Sequence, residues 1–96
     1  MEVRERLITD LEEEILFLLS LQETELSTLA IVERTSRNMQ RLLSLARVHE
    51  TLLQLEANGL INTTSSNAKK NYTITDAGIT ALQTDWSHYS RSLNEL

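Results

Sequence analysis

Arg37, Arg41 and Arg47, with Ser44, Thr51 and Gln54 among or just after them and the pair Lys69-Lys70 further on, are the side chains here best suited to meeting a ligand. Guanidinium and ammonium groups neutralise phosphate, while hydroxyl, amide and guanidinium groups also hydrogen-bond the edges of bases. Arg47 suits either role, a guanine edge or a phosphate. Arg37 and Arg41 come earlier and suit phosphate contacts, and Lys69 and Lys70 suit the wall of an adjacent groove. Taken singly, each is also what an ordinary solubilising surface charge looks like; the case rests on the set.

Catalytic chemistry has far less to work with. The only histidines are His49 and His88, and neither is spaced with acidic residues as in the metal-binding pattern His-Glu-x-x-His. Glycine occurs only at 59 and 78, which rules out a glycine-rich phosphate cradle. Glu12-Glu13-Glu14 is a carboxylate run, but consecutive positions on a helix point in different directions and cannot converge on one reacting atom. No enzyme, metal or cofactor is expected. His49 is expected to be a partly buried packing residue, and Glu50 beside it would repel phosphate unless it turns away.

The charge is unevenly spread. The whole chain of 96 residues carries −5, which on its own argues against nucleic acid as a partner. Residues 1–33 hold two basic and nine acidic side chains, whereas residues 34–72 hold six basic and two acidic ones. Residues 73–96 return to an acidic balance, with one basic and three acidic side chains. The positive charge therefore coincides with the segment that holds the candidate contact residues.

Those residues need elements to position them. Val3, Leu7, Leu11, Ile15 and Leu18 recur at helical spacing and predict a first helix ending near Ser20. Leu26, Leu29, Ala30 and Glu33 predict a shorter second helix, with Thr24 as its N-cap. Thr35 to Gln40 reads as a polar turn, with a short helical piece open to Met39, Leu42, Leu43 and Leu45. A third helix is expected from Ser44 or Leu45 to Asn58, burying Leu45, Val48, Leu52 and Leu55 and presenting Arg47, Thr51 and Gln54 on the opposite face. Asn58-Gly59 is its stop signal, since both tolerate the left-handed conformation. Leu60-Ile61 begins a strand, the polar residues 62–71 form a loop turning at Ser65-Ser66-Asn67, and Tyr72-Thr73-Ile74 returns as a second strand. Thr75-Asp76 opens a last helix, in which Ile79, Leu82, Trp86, Tyr89, Leu93 and Leu96 alternate by three and four. That average period of about 3.5 is the seam one helix offers another. Leu82, Trp86, Tyr89 and Leu93 are accordingly the candidate subunit interface, with Ile79 and Leu82 also placed to close the domain.

At 41% hydrophobic and 24% charged, the chain has globular composition, and its length suits one small domain. Cysteine is absent, the apolar runs are too short to span a bilayer, and Glu2, Glu5 and Asp10 interrupt any leader-like start. A cytoplasmic location without membrane contact is expected. The fold class follows: mainly α with a small β-ribbon, a winged helix-turn-helix with an added C-terminal dimerisation helix. Residues 1–75 would form the core and 76–96 the last helix of a single domain, 1–96.

The succession Leu55-Glu56, Gly59-Leu60-Ile61, Tyr72, Ile74-Thr75 and Gly78, together with Glu25-Leu26, Leu52 and Trp86, resembles the PadR-like family of winged-helix transcriptional regulators. The resemblance covers roughly residues 11 to 90. It implies a homodimeric, usually repressing regulator that binds duplex DNA and exchanges contacts between subunits through its last helix. The sequence departs from the family at Glu23-Thr24, where Gly-Tyr is common, and at Ala46 and His49, where a glycine and a tyrosine are usual. Lys69-Lys70 stand where wing arginines are usual. The alternative is a winged-helix module that has lost DNA binding and docks its acidic first helix on a basic protein surface. Any small-molecule effector would sit at the subunit interface near Trp86, and no residue pattern supports one.

Overall fold

The computed structural model describes residues 8–21, 25–67 and 69–84. In chain order these form α1 (Asp10–Ser20), β1 (Leu26–Ser27), α2 (Thr28–Asn38), α3 (Leu45–Ala57), β2 (Ile61–Ser66), β3 (Lys69–Ile74) and helical residues 76–84, here α4. Winged helix-turn-helix is the architecture: three helices pack over a three-stranded antiparallel sheet of order β1-β3-β2, and α4 follows the ribbon.

Each helix starts where a short polar side chain can take up an unpaired amide. At α1, Thr9 Oγ1 accepts from Glu12 N at 3.2 Å while Glu12 Oε1 accepts from Thr9 N at 2.9 Å, a reciprocal capping box. This start corrects the expectation of a helix already running through Ile8: Ile8 lies ahead of the cap yet is buried in the core. Val3 and Leu7 of the expected stripe lie outside the described residues.

The second helix is capped by Ser27, whose Oγ accepts from Ala30 N at 3.2 Å; Thr24, the expected cap, lies outside the described residues. Leu26, expected on that helix, instead belongs to β1 and pairs with Tyr72. Burial favours the pairing, because Leu26 and Tyr72 are both core residues and their side chains share one face of the sheet. The two-stranded ribbon is thus extended to a three-stranded sheet.

Nor is Thr35 to Gln40 a turn throughout. Helix α2 continues to Asn38, since Thr35 is fully buried and its hydroxyl donates to Ile31 O at 2.6 Å. Satisfied within its own helix, that hydroxyl can enter the core without an unpaired polar atom. The chain then turns at Gln40 (φ 54°), with Gln40 N donating to Arg37 O and Arg41 N to Ser36 O. Leu43 N donates to Ser36 Oγ at 3.1 Å, and the Leu43 side chain enters the core.

Helix α3 has the expected bounds. Ser44 is its N-cap, Gly59 adopts φ 76°, and Leu60 N donates to Leu55 O at 2.9 Å while Gly59 N donates to Glu56 O at 3.0 Å. These two bonds form the left-handed terminus that only glycine adopts without strain. Val48, Leu52 and Leu55 are buried as expected, but Leu45 is 56% exposed: it occupies the first helical position and projects beyond the core.

Strands β2 and β3 extend through most of the polar segment read as a loop. Their register runs from Ile61 opposite Ile74 to Ser66 opposite Lys69, leaving a tight connection in which Asn67 has φ 52°. Threonine and serine on an exposed ribbon satisfy the ladder through the backbone, so lack of apolar alternation does not end the strands. Ile15 and Leu16 of α1, Ile31 of α2, Leu52 and Leu55 of α3 and Ile61 of β2 are the largest fully buried apolar side chains. Leu82 joins this core at 3% exposure, so in α4 it closes its own subunit and offers little surface to another. Trp86, Tyr89, Leu93 and His88 lie outside the described residues, as does the seam beyond Leu82.

Candidate nucleic-acid interface

Helix α3 carries its apolar residues 48, 52 and 55 at steps of four and three, which fixes its rotation about its own axis. At 100° per residue, Arg47, Thr51 and Gln54 fall roughly a third of a turn from that stripe, on a flank and not diametrically opposite. The structure accordingly leaves Arg47 and Gln54 exposed and Thr51 half-buried. Ala46, His49, Glu50 and Leu53 are exposed along the outward side. His49 is thus a surface residue and not a packing one, because positions 48 and 52 already fill the inward face.

The entry of α3 is the best-defined part of the site. Ser44 Oγ accepts from Arg47 N at 3.1 Å, so Ser44 caps the helix and holds its first turn. Thr51 Oγ1 donates to Arg47 O at 2.9 Å, one turn further on. Both hydroxyls expected to meet a ligand are therefore engaged with the backbone of α3. Arg41 is exposed three residues after the α2 terminus, and Arg37 is exposed in the last turn of α2, where a cation also complements the helix dipole. Lys69 and Lys70 are exposed at the start of β3, beside the ribbon's turn, opposite Ser66 and Ser65.

An open cleft of about 630 Å³ runs between the start of α1 and the flank of α3. It brings Arg41, Arg47, Thr51 and Gln54 together, four of the eight expected contact residues. Arg37, Ser44, Lys69 and Lys70 do not line it. The cleft also contains Asp10 and Glu12 of α1 and Glu50 of α3, so its balance is slightly acidic. Glu12 is there because it supplies the side-chain acceptor of the capping box. A slightly acidic cleft is a poor cradle for a polyanion.

The acidic wall was not anticipated. The signal for it was the spacing Thr9-x-x-Glu12, which marks a helix start and so brings Asp10 and Glu12 to the end of α1. Elsewhere on α1, Glu14 Oε1 accepts from Asn38 Nδ2 at 3.0 Å, tying α1 to the end of α2. The glutamate run is thus partly structural. Among the described residues, no helix is long and apolar enough to cross a membrane, and no group of three histidine, aspartate or glutamate side chains is placed to hold a metal.

This arrangement of helices, short sheet and ribbon is that of the winged-helix proteins. No protein-family model matches the sequence, and no curated protein is similar enough in sequence to count as a relative. Solved structures are similar in fold. RosR of H. salinarum superposes with a TM-score of 0.79 at 22% identity, over 91% of this chain and 78% of RosR. MepR, a transcription regulator of the Staphylococcus aureus multidrug efflux pump MepA, gives 0.71 at 23% identity, over 92% of this chain and 62% of MepR. PcaV, a transcriptional regulator from Streptomyces coelicolor solved with its natural ligand, gives 0.74 at 18% identity, over 88% of this chain and 57% of PcaV. The present chain thus spans less than two thirds of the length of these last two. The particular resemblance to the PadR-like family has no counterpart among these structures and rests on the residues quoted for it.

Proposed function

We propose that this chain is a transcriptional regulator that binds duplex DNA with the entry of α3 in the major groove and the β2–β3 ribbon against the neighbouring phosphates. One observation carries the reading. Exposed Arg37, Arg41 and Arg47 flank the Ser44-capped start of α3 along the chain, and no acidic residue occurs between Arg34 and His49, although Asp10 and Glu12 of α1 share the cleft with Arg41 and Arg47. A helix enters the groove by its leading residues, so local charge at that end matters more than the net charge of the chain. The fold likeness to MepR and PcaV, both transcription regulators by description, supports it.

In this reading the protein acts as a cytoplasmic homodimer, joined through the last helix beyond Leu82, and represses. The PadR-like resemblance supports both the pairing and the sign. A two-fold dimer would set two reading helices about one DNA turn apart. The rival reading, a winged-helix module that binds protein and not DNA, draws on the acidic wall of Asp10, Glu12 and Glu50 beside Arg47. Retention on duplex DNA separates them. The purified chain should enrich particular fragments from a random duplex pool at about 50 mM salt; absence of any retention there would remove the DNA reading.

A further inference from the structure

The most exposed apolar side chain among the described residues is not on the sheet or the last helix but at the front of α3. Leu42 is 96% exposed and Leu45 is 56% exposed, three residues apart. A single surface leucine needs no explanation. This pair differs in how it is held. Leu43 between them is buried, its amide donates to Ser36 Oγ at 3.1 Å, and Arg41 N donates to Ser36 O at 3.1 Å. With Leu43 anchored inward and Ser44 capping α3, Leu42 and Leu45 stand outward on a braced turn. Arg41 precedes the pair and Arg47 follows it, in a stretch with four arginines from 34 to 47 and no carboxylate. The turn itself thus carries only positive charge, with Asp10, Glu12 and Glu50 confined to the cleft beside it, and this suits a polyanion better than a second apolar protein surface.

At the same front, the two hydroxyls are partly used up, while the exposed His49 and Glu50 lie further along the outward side of α3. Ser44 Oγ and Thr51 Oγ1 are both committed to the helix backbone. Arg47 remains at the entry, with Gln54 two turns along. The one apolar feature that base pairs display in the major groove is the C5-methyl group of thymine.

Resting on the DNA reading above, we infer that Leu42 and Leu45 read thymine methyl groups, so that the sites this protein selects carry A·T pairs opposite the start of α3. Arg41 and Arg47 hold the flanking phosphates or a guanine edge, and the leucines add discrimination for A·T pairs at the leading edge of α3.

The test uses fragments that the full chain selects from random duplex DNA, remade synthetically with each thymine in turn replaced by deoxyuridine, which removes only the methyl. Affinity should fall about fourfold at one or two positions per half-site, the equivalent of one methyl-sized group left unburied. Leu42→Ala with Leu45→Ala should bind the unmodified fragment more weakly and lose that sensitivity. Full retention with no deoxyuridine effect anywhere would overturn the inference while leaving DNA binding standing. So would a deoxyuridine effect that persists in the double variant, because another residue would then be meeting the methyl. Unchanged DNA affinity of the double variant would instead assign the leucines to a protein partner. If no duplex is enriched at all, the function itself fails and the inference with it. If the double variant does not fold, Leu42→Ala alone carries the same comparison, because Leu42 is 96% exposed and its truncation leaves the core intact.

Discussion

The Thr75 hydroxyl donates to the carbonyl oxygen of Gly59 at 2.7 Å, joining the end of α3 to the start of α4 across the base of the ribbon. Thr75 Oγ1 in turn accepts from Gly78 N at 3.0 Å, which makes Thr75 the cap of α4, and Thr75 N donates to Leu60 O at 3.1 Å. Three elements that must keep a fixed relation for α3 and the ribbon to meet one ligand are thus tied at one residue. Replacing Thr75 by valine keeps the shape and removes both hydroxyl bonds. A loss of about 1–2 kcal/mol is expected, the usual cost of a deleted cap with a second bond. Thermal melting should show a fall of roughly 4–16 °C, while Thr75→Ser melts near the parent. A valine variant that melts with the parent would mean the junction is held by packing alone.

Gly78 sits against that junction. A Cβ there would collide with the Leu60 carbonyl oxygen and approach Ile74 Cγ1 to 2.7 Å. At Gly59 a Cβ would meet nothing within 4 Å, and only the left-handed backbone resists substitution. Gly78→Ala should therefore cost about 1–3 kcal/mol or more through overpacking against backbone, and Gly59→Ala about 1–2 kcal/mol through strain. Urea denaturation midpoints should rank Gly78→Ala lower than Gly59→Ala. The reverse order would put the α4 start further from β2 than described here.

Lys69 and Lys70 stand at the turn end of the ribbon, and in the proposed DNA complex contacts from there would fall on phosphates. Lys69→Ala with Lys70→Ala should weaken binding to all duplexes alike and reduce the salt slope by up to about 1.8 per ribbon, at about 0.9 per phosphate. Binding measured on a panel of single-base variants of a selected fragment checks this. Selective loss at one base position would give the lysines a reading role instead.

The pairing of subunits has its own test. Burial of an indole at an interface contributes on the order of 2–3 kcal/mol, so Trp86→Ala should shift sedimentation of the chain toward monomer. A dimer of unchanged stability would place the interface elsewhere, or Trp86 inside its own subunit.

The elements that position the site were legible where stop signals and caps are local. Ser44 and Asn58-Gly59 bound α3, because capping chemistry depends on one or two residues. Leu60-Ile61 and Tyr72 marked the ribbon for the same reason. What was not legible depended on partners distant in sequence. Strand β1 is two residues long, too short for any alternation, and exists because Tyr72 lies beside Leu26. Thr35 looked like a turn residue because its type says nothing of a hydroxyl satisfied by its own helix. Leu45 fitted the buried period of α3 but precedes the point where the core begins. At the site, the cationic side chains were found by type, whereas the acidic wall of Asp10 and Glu12 needed the packing of α1 beside α3.

The salt dependence of binding tests the central claim most directly. If each of two subunits places about four cationic side chains on phosphates, log affinity for a selected duplex should fall against log salt with a slope near −7. A slope near zero would contradict phosphate binding by the α3 entry and the ribbon, and the protein would then have to be sought among those whose winged helix meets another protein.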